Sequence, residues 1–208
     1  MTSLDYRALS SINAERALTF QPLLFSKFWS TLDESKPIRI LDFGGMQPSS
    51  IDFYSQSEVP CYITITDCIE SLTKLHINEE FSAIDVKNNI NRLVQVNESQ
   101  PYDIIILWEC LNYIQPDIFP LLQEKIKHIS HTNTLLYGYL YTSNHAAGFP
   151  YNFKILNDSS FSCEEKPGIT ENQKLINSFH LKKYFSDFEM SRSVLIRNGL
   201  QEFLMTRK

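Results

Sequence analysis

The chain has 208 residues, with 43% hydrophobic and 21% charged, the balance of a soluble globular protein with a full core. Lys plus Arg of 19 against Asp plus Glu of 24 leaves a net charge of −5, which argues against a general nucleic-acid binder, since those carry a basic surface. Lys182-Lys183 and the stretch from Arg192 to Arg197 still leave room for a local basic patch.

No apolar run approaches the ~20 residues that span a bilayer, so no membrane is expected. Met1-Thr2-Ser3-Leu4-Asp5 has neither the basic nor the apolar segment of a secretory signal. Cys61, Cys68, Cys110 and Cys163 form no CxxC pair, and the histidines are scattered. Reduced thiols, a cytoplasmic location and no metal site are the expectation.

Residues 6–32 lack glycine and place Leu18, Leu23, Leu24, Phe25, Phe28, Trp29 and Leu32 at helical recurrence. They predict a helical cap, residues 1–34, on a main domain of residues 35–208. Ser35-Lys36-Pro37 breaks the helix and Ile38–Phe43 reads as the first buried strand, running directly into Gly44-Gly45. A buried strand that ends in an acid and two glycines is turning sharply toward a helix, and ligands of open α/β sheets collect at such carboxyl ends. Pro48 opens the next helix, Ser49–Gln56, a first-turn position that tolerates proline.

Cys61–Thr66, rich in β-branched residues, reads as a second strand closed by Asp67. A carboxylate there can accept from two vicinal hydroxyls; the same position equally suits a helix N-cap. A helix follows from Ile69 to Leu75, then a short third strand at Phe81–Val86 and a short helix at Asn88–Val96. Tyr102–Leu107 has the continuous apolar character of a strand buried on both faces. Pro116–Ile129 is helical in period, and Thr134–Tyr141 is another strand. Residues 142–172 read as a long polar loop, Leu175–Tyr184 as a helix, and Phe188–Ile196 with Leu200–Thr206 as a hairpin turning at Asn198-Gly199. Alternating strands and helices argue a mostly parallel sheet with covering helices.

In this order the segments ILDFGG (40–45), TITD (64–67), YDIIILWECLNYI (102–114), TLLYGYL (134–140) and VLIRNGLQEFLM (194–205) resemble a class I S-adenosylmethionine-dependent methyltransferase. The resemblance covers roughly residues 35–208. It implies an α/β Rossmann-like three-layer sandwich, with a mostly parallel seven-stranded sheet and an antiparallel C-terminal strand. It also implies S-adenosylmethionine as cofactor, held by Asp42, Gly44, Gly45, Asp67, Asp85 and Trp108. Asp67 would bond the ribose hydroxyls, Asp85 the adenine amine, and Trp108 would stack on adenine or substrate. Glu109 would act as general base or orient an amine, although methyl transfer needs little beyond alignment. Asp85 and Asp67 also fit helix caps, and Glu109 also fits a solvated turn.

The family's glycine motif is incomplete: Met46 and Pro48 stand where the second and third glycines would be. Two functions follow. One is a methyltransferase acting on a small molecule or a protein. The other is a non-catalytic methyltransferase-like domain used as an interaction or regulatory module. Met46 is the residue expected to decide between them, by filling the cleft or swinging out of it.

Overall fold

The computed structural model describes residues 18–96, 99–142, 151–165, 176–196 and 199–208. The main sheet is built on β2 (Ile38–Asp42), β3 (Cys61–Ile65), β4 (Tyr102–Trp108), β5 (Ser130–Tyr141), β8 (Phe188–Leu195) and β9 (Leu200–Arg207). Their order is β3-β2-β4-β5-β9-β8. The first four are parallel, β9 lies antiparallel between β5 and β8, and β8 and β9 form the closing hairpin.

Both faces of the central strands are covered, so β4 is apolar on both sides, while the edge strands β3 and β8 are partly exposed. Along β4, Ile105 and Leu107 enter one core and Ile104, Ile106 and Trp108 the other. The first core is closed by α3 (Ile69–Thr73), α4 (Ala83–Leu93), α5 (Phe119–His128) and α6 (Ser178–Tyr184). The second is closed by α1 (Leu23–Trp29), α2 (Pro48–Ser55) and a small antiparallel sheet. That sheet joins β1 (Leu18–Phe20), β7 (Ser160–Glu165) and β6 (Tyr151–Asn157), in the order β1-β7-β6.

Three expectations are corrected. The described residues contain six strands in the main sheet, not seven, because Phe81–Val86 is not a strand. Ser82 caps α4 there, its hydroxyl accepting from the Asp85 amide while the Asp85 carboxylate accepts from the Ser82 amide. This reciprocal box satisfies the orphan donors of a helix start and outweighs a weak strand pattern. The predicted polar loop contains β6 and β7, where Tyr151, Phe153 and Ile155 alternate and oppose Phe161 and Cys163. Its polar composition hid a period-two pattern. The N-terminal cap is not wholly helical: Leu18–Phe20 is a strand paired with Phe161–Cys163, and the expectation for residues before Leu18 lies outside the described residues.

One buried carboxylate ties the N-terminal elements to the sheet. Glu202, fully buried on β9, accepts from the amides of Leu23 at 2.8 Å and Phe25 at 3.0 Å, both in the first turn of α1. It also accepts from the Tyr137 hydroxyl at 2.7 Å. The side chain thus serves as a cap supplied from 177 residues away, where a helix start favours negative charge. Glu202→Ala is expected to lower the unfolding free energy by about 2 kcal/mol, since it leaves the buried Phe25 amide without an acceptor and removes the carboxylate from the Leu23 amide and the Tyr137 hydroxyl. Glu202→Gln, which keeps an acceptor, should lose less. Urea denaturation midpoints of both variants check the ranking.

Candidate functional site at the strand carboxyl ends

The carboxyl ends of β2, β3 and β4 bring together most of the residues singled out from the sequence. Asp42 ends β2 and is 2% exposed. Its Oδ1 accepts from the Gly44 amide at 2.7 Å and the Trp108 indole N–H at 2.5 Å, and its Oδ2 from the Tyr54 hydroxyl at 3.4 Å. Burial pushes the Asp42 carboxyl up to about 6, against the pull of these three donors.

Trp108, the last residue of β4, takes φ +49°, in the left-handed region that a bulky residue rarely adopts. Two glycines accommodate it. A Cβ on Gly44 would lie 2.2 Å from the indole Nε1, and a Cβ on Gly138 of β5 would lie 2.5 Å from the Trp108 carbonyl oxygen. The indole is 1% exposed and stacks on Phe153 of β6, with ring centroids 5.0 Å apart and planes 11° apart. Phe153 stacks in turn on Tyr139, and the Phe161 ring meets the indole edge-on. The amide of Ile155 donates to Ser50 Oγ at 3.0 Å, which pins β6 against α2.

Glu109 follows Trp108 and is fully buried. It accepts from the Tyr141 hydroxyl through one oxygen and from the Tyr151 amide through the other. Burial raises its carboxyl to about 8 despite both bonds. Asn112 holds the same turn to β5: its Nδ2 donates to the Glu109 and Tyr139 carbonyls, and its Oδ1 accepts from the Tyr141 amide.

Gly45 and Asp67 are neighbours: a Cβ on Gly45, which has φ +75°, would lie 3.0 Å from Asp67 Cγ. Asp67 is exposed, unlike Asp42 and Glu109. Met46 is 73% exposed, so its side chain has swung away from the strand ends. Asp85 is apart in role as well as in chain position, being engaged in the cap of α4. Among the sequence-selected residues, therefore, Asp42, Gly44 and Trp108 form one hydrogen-bonded unit and Gly45 and Asp67 a second pair. Glu109 is turned under β6.

Sequence reasoning missed Phe153, Ser50 and Tyr151, which close over the strand ends. The period-two run Tyr151, Phe153, Ile155 was the available signal for two of them. Nothing local marked Ser50, whose role depends on a strand some hundred residues later.

No family model and no curated protein matches the chain. Solved structures do. Magnesium protoporphyrin IX methyltransferase from Synechocystis PCC 6803, with bound SAH, superposes with a TM-score of 0.50 at 7% identity over 89% of this chain and 80% of that one. The 1,6-didemethyltoxoflavin N1-methyltransferase of Burkholderia thailandensis, with bound 1,6-didemethyltoxoflavin and S-adenosylhomocysteine, gives 0.47 at 13% identity over 97% and 80%. The pyocyanin biosynthetic protein PhzM gives 0.48 at 10% identity over 89% of this chain and 55% of its own, so the chain spans about half of that protein. The fold is methyltransferase-like.

The two buried acids make stability depend on pH. Both are raised above their unfolded values, so each contributes stability that is full below the unfolded pKa and is lost as pH rises through the folded pKa. For Asp42 the window is about 4 to 6, and for Glu109 about 4.5 to 8. The unfolding free energy is expected to fall between pH 6 and 8, by up to ~1.4 kcal/mol per pH unit. Glu109→Gln should flatten that limb. Denaturant curves of both proteins at pH 6, 7 and 8 check this, and parallel slopes would contradict it.

Proposed function

We propose that this chain uses a methyltransferase-like fold as a non-catalytic binding or regulatory module. The observation that carries the reading is the Trp108 indole packed against Gly44. The indole lies where a Cβ on Gly44 would, bonds to Asp42 and is roofed by Phe153, so on this reading the strand end is closed by the chain's own side chains. S-adenosylhomocysteine is bound in the methyltransferase of similar fold, and on this reading the seated indole opposes the equivalent S-adenosylmethionine here. Each carboxylate oxygen of Asp42 and Glu109 accepts a hydrogen bond from within the protein. A general base at Glu109 would need access to an acceptor, and the side chain is fully buried. Fold alone does not carry the activity with it.

A second reading, an S-adenosylmethionine-dependent methyltransferase acting on a small molecule or a protein, is favoured by one feature. Gly45 with its positive φ lies against the exposed Asp67, the arrangement a ribose-binding carboxylate would use. On that reading the indole must leave its seat before the cofactor enters.

Thermal-shift and calorimetric titration with S-adenosylhomocysteine separates the two. A ligand at a hundredfold excess over its Kd stabilises by ~2.7 kcal/mol, and a domain of this size moves by roughly 2–4 °C per kcal/mol. The wild-type protein is expected to show no shift and no heat at millimolar ligand. A saturable shift that Asp67→Ala abolishes would establish the second reading. Met46→Gly is expected to leave the titration unchanged, because the Met46 side chain lies in solvent. Trp108→Ala should cost about 3–5 kcal/mol of stability through the cavity it opens. Binding gained only in that variant would identify the indole as the obstruction.

A further inference from the structure

The strand β3 is the edge of the main sheet, and α3 and α4 follow it in the chain and cover one face of the sheet. Between these two helices lies a cavity of about 370 Å³. This is within the range of small-molecule sites. Its apolar wall is made by Leu75, Phe81 and Val86, with Phe81 45% exposed although its ring is large and apolar. Its polar side carries Lys74, His76 and Arg92. Among the described residues, no acidic side chain lines it, in a chain whose net charge is −5.

The three polar groups are not equally committed. Lys74 is bridged to Glu70 at 2.7 Å on the solvent side, a pair of small energetic weight. His76 Nδ1 lies 3.1 Å from the Lys74 carbonyl oxygen, which places the proton of a neutral ring on that nitrogen and leaves Nε2 able to accept or, when protonated, to donate. Arg92 is exposed and makes no ion pair among the described residues. Its planar fork matches carboxylate and phosphate oxygens in a bidentate manner. An apolar slot beside an uncommitted guanidinium fits one ligand chemistry: a flat or branched apolar body carrying a single anionic group.

We propose that the cleft between α3 and α4 binds a small amphipathic anion, its apolar body against Phe81, Leu75 and Val86 and its carboxylate or phosphate on Arg92. The site is separate from the strand-end cradle and does not depend on how that cradle is read.

The test uses 1-naphthyl phosphate as probe on the full chain, followed by amide chemical shifts. Inorganic phosphate and 1-naphthol supply the anion alone and the ring alone. The expected result is saturable shifts confined to the amides of residues 71–77, 81 and 86–93, with either half-probe at least tenfold weaker. Arg92→Glu is expected to weaken the probe at least tenfold, since it removes the guanidinium contacts and sets a like charge beside the anion. Phe81→Ala should weaken it while leaving inorganic phosphate unchanged. Both residues are exposed enough for the variants to fold, and their spectra confirm that. Binding that survives Arg92→Glu, shifts centred on Gly45 and Asp67, or no saturation at millimolar probe overturns the proposal.

Discussion

The contact between the Trp108 indole and Gly44 sets the arrangement of everything at the carboxyl edge of the sheet. An indole is too large to sit there unless the backbone on two sides recedes, and the absence of a Cβ at Gly44 and at Gly138 provides that recession. Once seated, the ring needs a partner for its N–H and a cover for its outer face. Asp42 supplies the first and Phe153 the second. The β6–β7 hairpin is thus held by a stack that begins at the end of β4 and passes through Phe153 to Tyr139 on β5. Remove the ring and the hairpin, α2 and the glycine turn lose their common neighbour.

Three buried carboxylates illustrate how such a core tolerates acids. Among the described residues, no basic side chain bonds to Asp42, Glu109 or Glu202; each is met by neutral amide, hydroxyl or indole donors. Hydrogen bonds to the charged form and burial pull in opposite directions. At Asp42 and Glu109 burial dominates. All three link segments distant in sequence: β2 to β4, the turn after β4 to β6, and β9 to α1. Acids placed this way fix which elements meet, because the wrong neighbour would leave a buried donor or acceptor without a mate.

Much of the main sheet was legible in the sequence. Ile38–Phe43, Tyr102–Leu107 and Thr134–Tyr141 are apolar runs that only a strand covered on both faces explains, and Asn198-Gly199 announced the closing hairpin. The capping box at Ser82 and Asp85 was present as a pattern but competed with a strand reading over the same residues, and local helix-start chemistry prevailed. In the candidate site, Asp42, Gly44, Gly45 and Asp67 were legible because they follow strands directly. The sense of the site was not. Sequence reasoning pointed to Met46 as the group that fills or clears the cleft, whereas Met46 faces solvent and the buried residue against Gly44 is Trp108. Both residues are large and adaptable in sequence terms; which one turns inward depends on φ at Trp108 and on Gly138, a strand residue far away.

The anchoring of α1 by Glu202 has a consequence for how the chain comes together. β1 and α1 are made early in synthesis, yet β1 pairs with β7 and α1 is capped from β9, so their partners are made late. Contacts of such wide sequence separation form only after the intervening loop entropy has been met. Phe25 and Trp29 find Phe53, Tyr137 and Phe161 before β9 is made, yet the first turn of α1 stays uncapped until Glu202 arrives. The aromatic segment of the nascent chain is therefore held loosely, and open to chaperones, until that carboxylate locks the helix start to the sheet.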